Sequence, residues 1–150
     1  MMDSSQSPMD TLRELALKAL DQATRQLGQI RQSHQNAQQQ LNMLLNYHDE
    51  YRQKLNTTLF DGIEAARWQN YQQFIATLEK AIEQHRGQLQ QWNQKLDRAT
   101  QHWQEKQQRL NAYQTLYDRA ACQRLLHENR LDQKRMDEFA QRSALRNQDL

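Results

Sequence analysis

The side chains here best suited to chemistry are five histidines, His34, His48, His85, His102 and His127, and one cysteine, Cys122. A metal centre needs three or four such ligands converging on one point. A single cysteine excludes an internal disulfide and any cysteine-rich zinc site. The sequence has no glycine-rich phosphate loop and no Gly-x-Ser-x-Gly nucleophile turn. At the helical spacing derived below, His34 and His85 fall in one layer between two helices. Two imidazoles alone make a weak metal site, and a polar layer that fixes helix register accounts for them better. The expectation is a chain with no catalytic site, no metal and no cofactor.

What positions these residues follows from composition and period. The 150 residues are only 37% hydrophobic, and mean hydropathy is −1.15. That is too polar for a globular core, and fits either disorder or long helices with a narrow apolar seam. Pro8 is the only proline, and Gly28, Gly62 and Gly87 are the only glycines. A turn-rich β fold or a disordered chain would carry more of both. The net charge of +2, with acids and bases interspersed, does not suit a dedicated nucleic-acid binder. The first ten residues lack the apolar stretch of a signal peptide, and no run is long and apolar enough to span a bilayer. A soluble cytoplasmic protein is expected.

Periodicity decides between disorder and helix. From Trp68 through Tyr71, Ile75, Leu78, Ile82, His85, Leu89, Trp92, Leu96, Ala99 and Trp103, then on to Leu110, Tyr113, Tyr117 and Ala120, seam residues recur by threes and fours. The first half repeats this from Ala16 through Leu20, Ala23, Leu27, Ile30, Ala37, Leu41, Leu44 and Tyr51 to Leu55. This is the a/d pattern of a coiled coil, with Gln, Arg and Lys outside it. Asn56-Thr57-Thr58 and Asp61-Gly62 between the two runs read as a turn. The fold expected is all-α: one antiparallel coiled-coil hairpin forming a single domain. Helix 1 spans about residues 10–56, the turn 57–62 and helix 2 63–141, with flexible ends.

Matching a positions of one seam with d positions of the other gives a register whose symmetry point, Leu59–Phe60, falls inside the separately read turn. Leu44 would face Ile75, Leu41 would face Leu78, and Ala16 would face Trp103. Gln40 and Tyr47, on the flank of the first seam, would then lie near Ala81 and Phe74 on the flank of the second. That edge is aromatic and uncharged, so it serves either as extra cover for the core or as a protein-binding patch. In this register helix 1 runs out near Leu110. The rest of helix 2 would overhang, with seven bases (Arg119, Arg124, Arg130, Lys134, Arg135, Arg142, Arg146) against four acids (Glu128, Asp132, Asp137, Glu138).

Several runs carry a family resemblance. They are Leu44-Leu45-Asn46-Tyr47 with Glu50-Tyr51-Arg52, the stretch from Arg67-Trp68-Gln69-Asn70-Tyr71 to Phe74-Ile75, Thr77-Leu78-Glu79-Lys80-Ala81-Ile82-Glu83-Gln84-His85-Arg86, and Glu128-Asn129-Arg130-Leu131-Asp132 on to Phe139-Ala140-Gln141-Arg142. They closely resemble the flagellar FliJ family over nearly the whole chain. The resemblance implies an antiparallel coiled-coil component of the flagellar type III export apparatus, similar to the two-helix part of the central stalk of rotary ATP synthases. It implies binding to the export ATPase FliI and the export gate protein FlhA, escort of export chaperones, and a place at the cytoplasmic face of the inner membrane. The family's gate-binding residues match Gln40, Leu44, Tyr47, Tyr51, Phe74, Leu78, Ala81 and His85, which favours the binding-patch reading of the edge. The stalk likeness puts the open end in the ATPase ring, with Tyr113, Tyr117, Arg119, Arg124 and Arg130 as the contact residues. The alternative is a general export-substrate chaperone or chaperone escort.

Overall fold

Ser7 and Pro8 set the start of the first helix. The Ser7 hydroxyl accepts from the Asp10 amide at 3.3 Å, and the Ser7 carbonyl accepts from the amides of Asp10 and Thr11. Pro8 brings no amide to satisfy, and Asp10 places a negative charge in the first turn. In the computed structural model α1 runs Pro8–Asp61 and α2 runs Ala65–Gln148. The structure describes residues 7–62 and 64–148. The expected flexible ends at 1–6 and 149–150, and the expected start of helix 2 at Ile63, lie outside that description.

Helix α1 continues through the segment whose composition suggests a turn. The Thr57 hydroxyl donates to the Gln53 carbonyl at 2.8 Å, and the Thr58 hydroxyl donates to the Lys54 carbonyl. Threonine has two uses for its hydroxyl, an alternative to helix or a bond back along the helix, and here it takes the second. The chain leaves the helix only at Gly62, whose φ of 77° lies in the left-handed region. A glycine just past the last helical residue is the usual way to end a helix at no steric cost.

The chain divides by contacts into two units, Asp21–Glu105 and Met1–Leu20 with Lys106–Leu150. In the first, Ala23, Leu27, Leu41, Ile75, Leu78 and Ile82 are buried; in the second, Ala16 is buried. Burying a Leu or Ile stabilises by about 1.5–3 kcal/mol. The seam residues expected from the period are all buried or half-buried, from Ala16 to Leu55 on α1 and from Trp68 to Ala120 on α2. No strand occurs among the described residues.

The register differs from the expectation by one heptad. Within Asp21–Glu105, His34 Nε2 donates to Asn93 Oδ1, His48 Nε2 donates to Glu79 Oε1 at 3.1 Å, and Trp103 Nε1 donates to Thr24 Oγ1 at 3.0 Å. The midpoint of each pair falls between residues 63 and 64, not at Leu59–Phe60. Sliding by seven residues returns a positions opposite d positions, so Leu44 faces Ile82 and Leu41 faces His85. His34 and His85 therefore do not share a layer, and His85 Nδ1 is buried without a partner. Among the described residues no three His, Cys, Asp or Glu side chains come together as metal ligands.

The overhang starts later for the same reason. In the unit holding both chain ends, the Arg13 guanidinium lies 4.1 Å from the centre of the Tyr117 ring. Tyr113, Tyr117 and Ala120 are half-buried, and residues 121–142 are all exposed. Among the described residues, the part beyond the seam is residues 121–148, about 40 Å of helix at 1.5 Å per residue, and only its first turns border the start of α1.

Two measurements check this account. In a Cys122→Ser background, Leu44→Cys with Ile82→Cys joins within the chain on oxidation, whereas Leu44→Cys with Ile75→Cys does not, because the second pair sits a heptad apart. Glycine substitutions have opposite signs. Beyond the adjoining backbone and chain neighbours, no described atom lies within 4 Å of a Cβ added at Gly62 or Gly87. Gly62→Ala nevertheless costs about 1–2 kcal/mol through its positive φ, while Gly87→Ala in a regular helix gains about 0.8–1 kcal/mol. Urea unfolding reads both.

Candidate protein-binding surfaces

In the unit Asp21–Glu105, the edge of flanking positions is built around Tyr51. Its ring stacks at a tilt on Phe74, with centroids 4.4 Å apart, and lies 6.3 Å from Tyr71. The Lys54 ammonium sits 5.3 Å above the same ring, a cation–π contact that covers the edge nearest the turn. Tyr47 makes no ring contact among the described residues and stays 47% exposed; Phe74 is 43% exposed despite Tyr51. Among the described residues the Phe74 ring packs on Tyr51 and not on Tyr47. The heptad slide moves Phe74 onto Tyr51 and brings Ala81 level with Tyr47.

The other edge residues fall into distinct environments. Gln40 is exposed, whereas Leu44, Tyr51, Ala81 and His85 are half-buried. Leu78 is 8% exposed and lies in the seam, so it supports the edge and offers almost no area to a partner. Together Tyr47, Phe74 and the rim of Tyr51 make an aromatic strip on a rigid two-helix base.

At the open end the five expected contact residues separate. Arg119, Arg124 and Arg130 are exposed, but Tyr113 and Tyr117 pack against α1, with Tyr117 under Arg13. Large apolar side chains stand exposed on the stretch after Ala120: Leu125, Leu126, Leu131, Met136, Phe139 and Leu145. Met136 and Phe139 are each 72% exposed. Periodicity marked these two only as a sign that the helix continues. Leu12, Leu15 and Leu17 near the start of α1 are exposed too, and nothing in the a/d pattern points to them. Ser7, Pro8 and Met9 form one wall of a shallow groove closed by Ala120, Gln123, Arg124 and His127.

Comparison with known sequences gives these surfaces a context. The pattern of the family described as Flagellar FliJ protein matches residues 5–149. A Flagellar FliJ protein of Salmonella typhi is 59% identical over 138 residues, which cover 92% of this chain and 94% of that one. A Flagellar FliJ protein of Escherichia coli (strain K12) is 57% identical over 136 residues, covering 91% and 92%. The chain belongs to the FliJ family.

As a FliJ-family protein it is a flagellar export component. No helix among the described residues is long and apolar enough to cross a membrane. The exposed aromatic strip and the unaccompanied helix are thus the parts of this FliJ-family chain that differ most from a plain coiled coil, whose outer positions are polar.

The aromatic strip makes a stability prediction. Tyr51→Ala removes two ring contacts and seam area, and lowers unfolding free energy by about 2–4 kcal/mol. Tyr47→Ala removes an exposed ring with no ring partner and shifts it by less than about 0.5 kcal/mol. Thermal unfolding of the two variants side by side tests this. Equal losses would mean that Tyr47 is core cover.

Proposed function

We propose that this chain is a non-enzymatic coupling component of the flagellar type III export apparatus, joining the export ATPase FliI to the export gate protein FlhA. The partners come from the family resemblance. The observation that carries the reading is that each unit has its own exposed, non-polar surface: the aromatic strip around Tyr51 in one, and the helix after Ala120 in the other. A coiled coil that only spaced other parts would need neither.

The strip suits the gate. Tyr47, Phe74 and Tyr51 supply large rigid area at low entropic cost, with Gln40, Leu44, Ala81 and His85 around them and Leu78 beneath. The open end suits the ATPase. Arg119, Arg124 and Arg130 stand exposed there and attract carboxylates on a ring, an attraction that salt weakens. Tyr113 and Tyr117 then act by holding α2 against α1 where the free stretch begins. Export chaperones carried on the same free helix would fit an escort role.

One pair of variants separates the two ends. Truncation after Ala121 keeps every seam contact, abolishes ATPase binding and leaves gate binding intact. Tyr47→Ala does the reverse, weakening gate binding by roughly thirtyfold, the equivalent of about 2 kcal/mol at a hot spot. Titration calorimetry with each purified partner reads both. Retention of ATPase binding by the truncated chain would overturn the assignment of ends. A full-length chain that binds export cargo, and neither the ATPase nor the gate, would replace coupling by a general chaperone role.

A further inference from the structure

Heptad position separates two faces of α2. Along its paired part, the outward b and f positions from Lys80 to Asp118 hold no large apolar residue; Glu83, Gln94, Asp97 and Gln104 are typical. This is the solvated back of a coiled coil. Beyond Ala120 the pattern inverts. The a and d positions become mostly polar, with Arg124, His127, Lys134 and Glu138 among them. The b and f positions now carry Cys122, Leu125, Met136 and Phe139, connected by three- and four-residue steps through Asn129 and Asp132. The apolar face therefore moves to the outer side of the helix where α1 stops covering it, and a longer α1 would not reach it.

This face is open. Leu125, Met136 and Phe139 are all exposed, and Met136 and Phe139 are the most exposed of the large apolar side chains among the described residues. On one side it is bordered by a row that runs Ala121, Glu128, Arg135 and Arg142. From residue 119 to 146, seven bases against four acids leave an excess of +3.

We infer that this b/f face, centred on Leu125, Met136 and Phe139, is the docking surface of the open end, and that it takes a protein with an apolar groove bordered by carboxylates. The inference rests on the proposed function, in that it assigns the ATPase contact to one side of the helix. Charge selects this occupant. A second copy of the chain would bring two basic stretches together. A lipid surface would have to receive Asp132 in the middle of the apolar stripe, stripping its carboxylate of water with no partner in return. A protein groove can offer Asp132 and Asn129 hydrogen-bond partners while its carboxylates meet Arg135 and Arg142.

The test uses the full-length chain and the purified export ATPase. The Met136→Ser/Phe139→Ser variant weakens ATPase binding by roughly thirtyfold or more, as expected on losing interface anchors. Leu131→Ser/Leu145→Ser, which alters exposed leucines at a positions, changes it by less than about threefold, as expected away from the hot spot. Alkylation of Cys122, the only thiol and part of the same face, slows when the ATPase is added to the unaltered chain. All side chains altered are exposed, and circular dichroism confirms that each variant stays helical. Loss of affinity in the leucine pair with none in the Met136/Phe139 pair would overturn the face. So would a Met136/Phe139 variant that binds the ATPase normally while losing either adhesion to phosphatidylglycerol vesicles or self-association in sedimentation. Failure of the unaltered chain to bind the ATPase at all would instead bring down the proposed function on which the face depends.

Discussion

A two-helix seam offers only one line of contact. Among the described residues no third layer completes the burial, and only seven, from Ala16 to Ile82, are buried, each keeping some contact with water. Each layer is a modest contribution, and a slide by one heptad replaces every a–d contact with another of the same kind. Apolar burial alone therefore fixes the interface and leaves the register nearly degenerate. Register is chosen by groups that cannot be exchanged. One is Gly62, the only described residue with positive φ, where the chain leaves α1. The others are the cross-helix bonds of His34 with Asn93, His48 with Glu79 and Trp103 with Thr24. A slide of seven residues moves each partner about 10 Å along the axis, out of reach. At roughly 0.5–1.5 kcal/mol each, these bonds discriminate between registers that the leucines cannot tell apart.

That distinction explains what was legible beforehand. Seam membership was readable residue by residue because a period of three and four is a local property; even His34, His48, His85 and Lys106 take up half-buried positions. The register was not, because it depends on where the chain reverses. Asn56, Thr57 and Thr58 are turn formers by type, but the two threonines satisfy their hydroxyls on Gln53 and Lys54 and stay helical. Only Asp61-Gly62 marked the true exit, while the seams also match a with d about Leu59–Phe60, inside the turn-prone cluster, which put the expected centre four residues too early. The extra turns of α1 then carried the error along the hairpin, separating His34 from His85 and bringing Tyr113 and Tyr117 under α1.

The candidate surfaces were legible to the same degree. Position beside the seam is periodic, so the aromatic edge could be found from Tyr47 and Phe74 without coordinates. Which residues of that edge touch is a matter of register. Phe74 packs on Tyr51, and Leu78 is core. The strip is consequently anchored by a half-buried tyrosine that couples its shape to the seam beneath. An exposed patch mounted in this way presents its rings already ordered, and association then costs less side-chain entropy than it would on a loop.

The free part of α2 poses the opposite problem, since no seam holds it. Isolated helices are marginal in water because nucleation is costly. Here nucleation is already accomplished, since α2 enters the stretch as a helix packed on α1, with Tyr117 held beneath Arg13. From there each added residue needs only propagation, which Arg, Leu, Gln, Glu and Ala favour and which no Gly or Pro interrupts after Gly87. The paired end therefore acts as a template, and the stretch can be helical without burying its own apolar residues. That frees Leu125, Met136 and Phe139 from any structural duty at the seam. Apolar side chains on the outer face of a helix stabilise nothing within the chain and raise its tendency to associate. A helix templated from one end and apolar on its outer face is thereby preorganised for a partner, and the conformational entropy that binding would otherwise have to offset is already spent in folding.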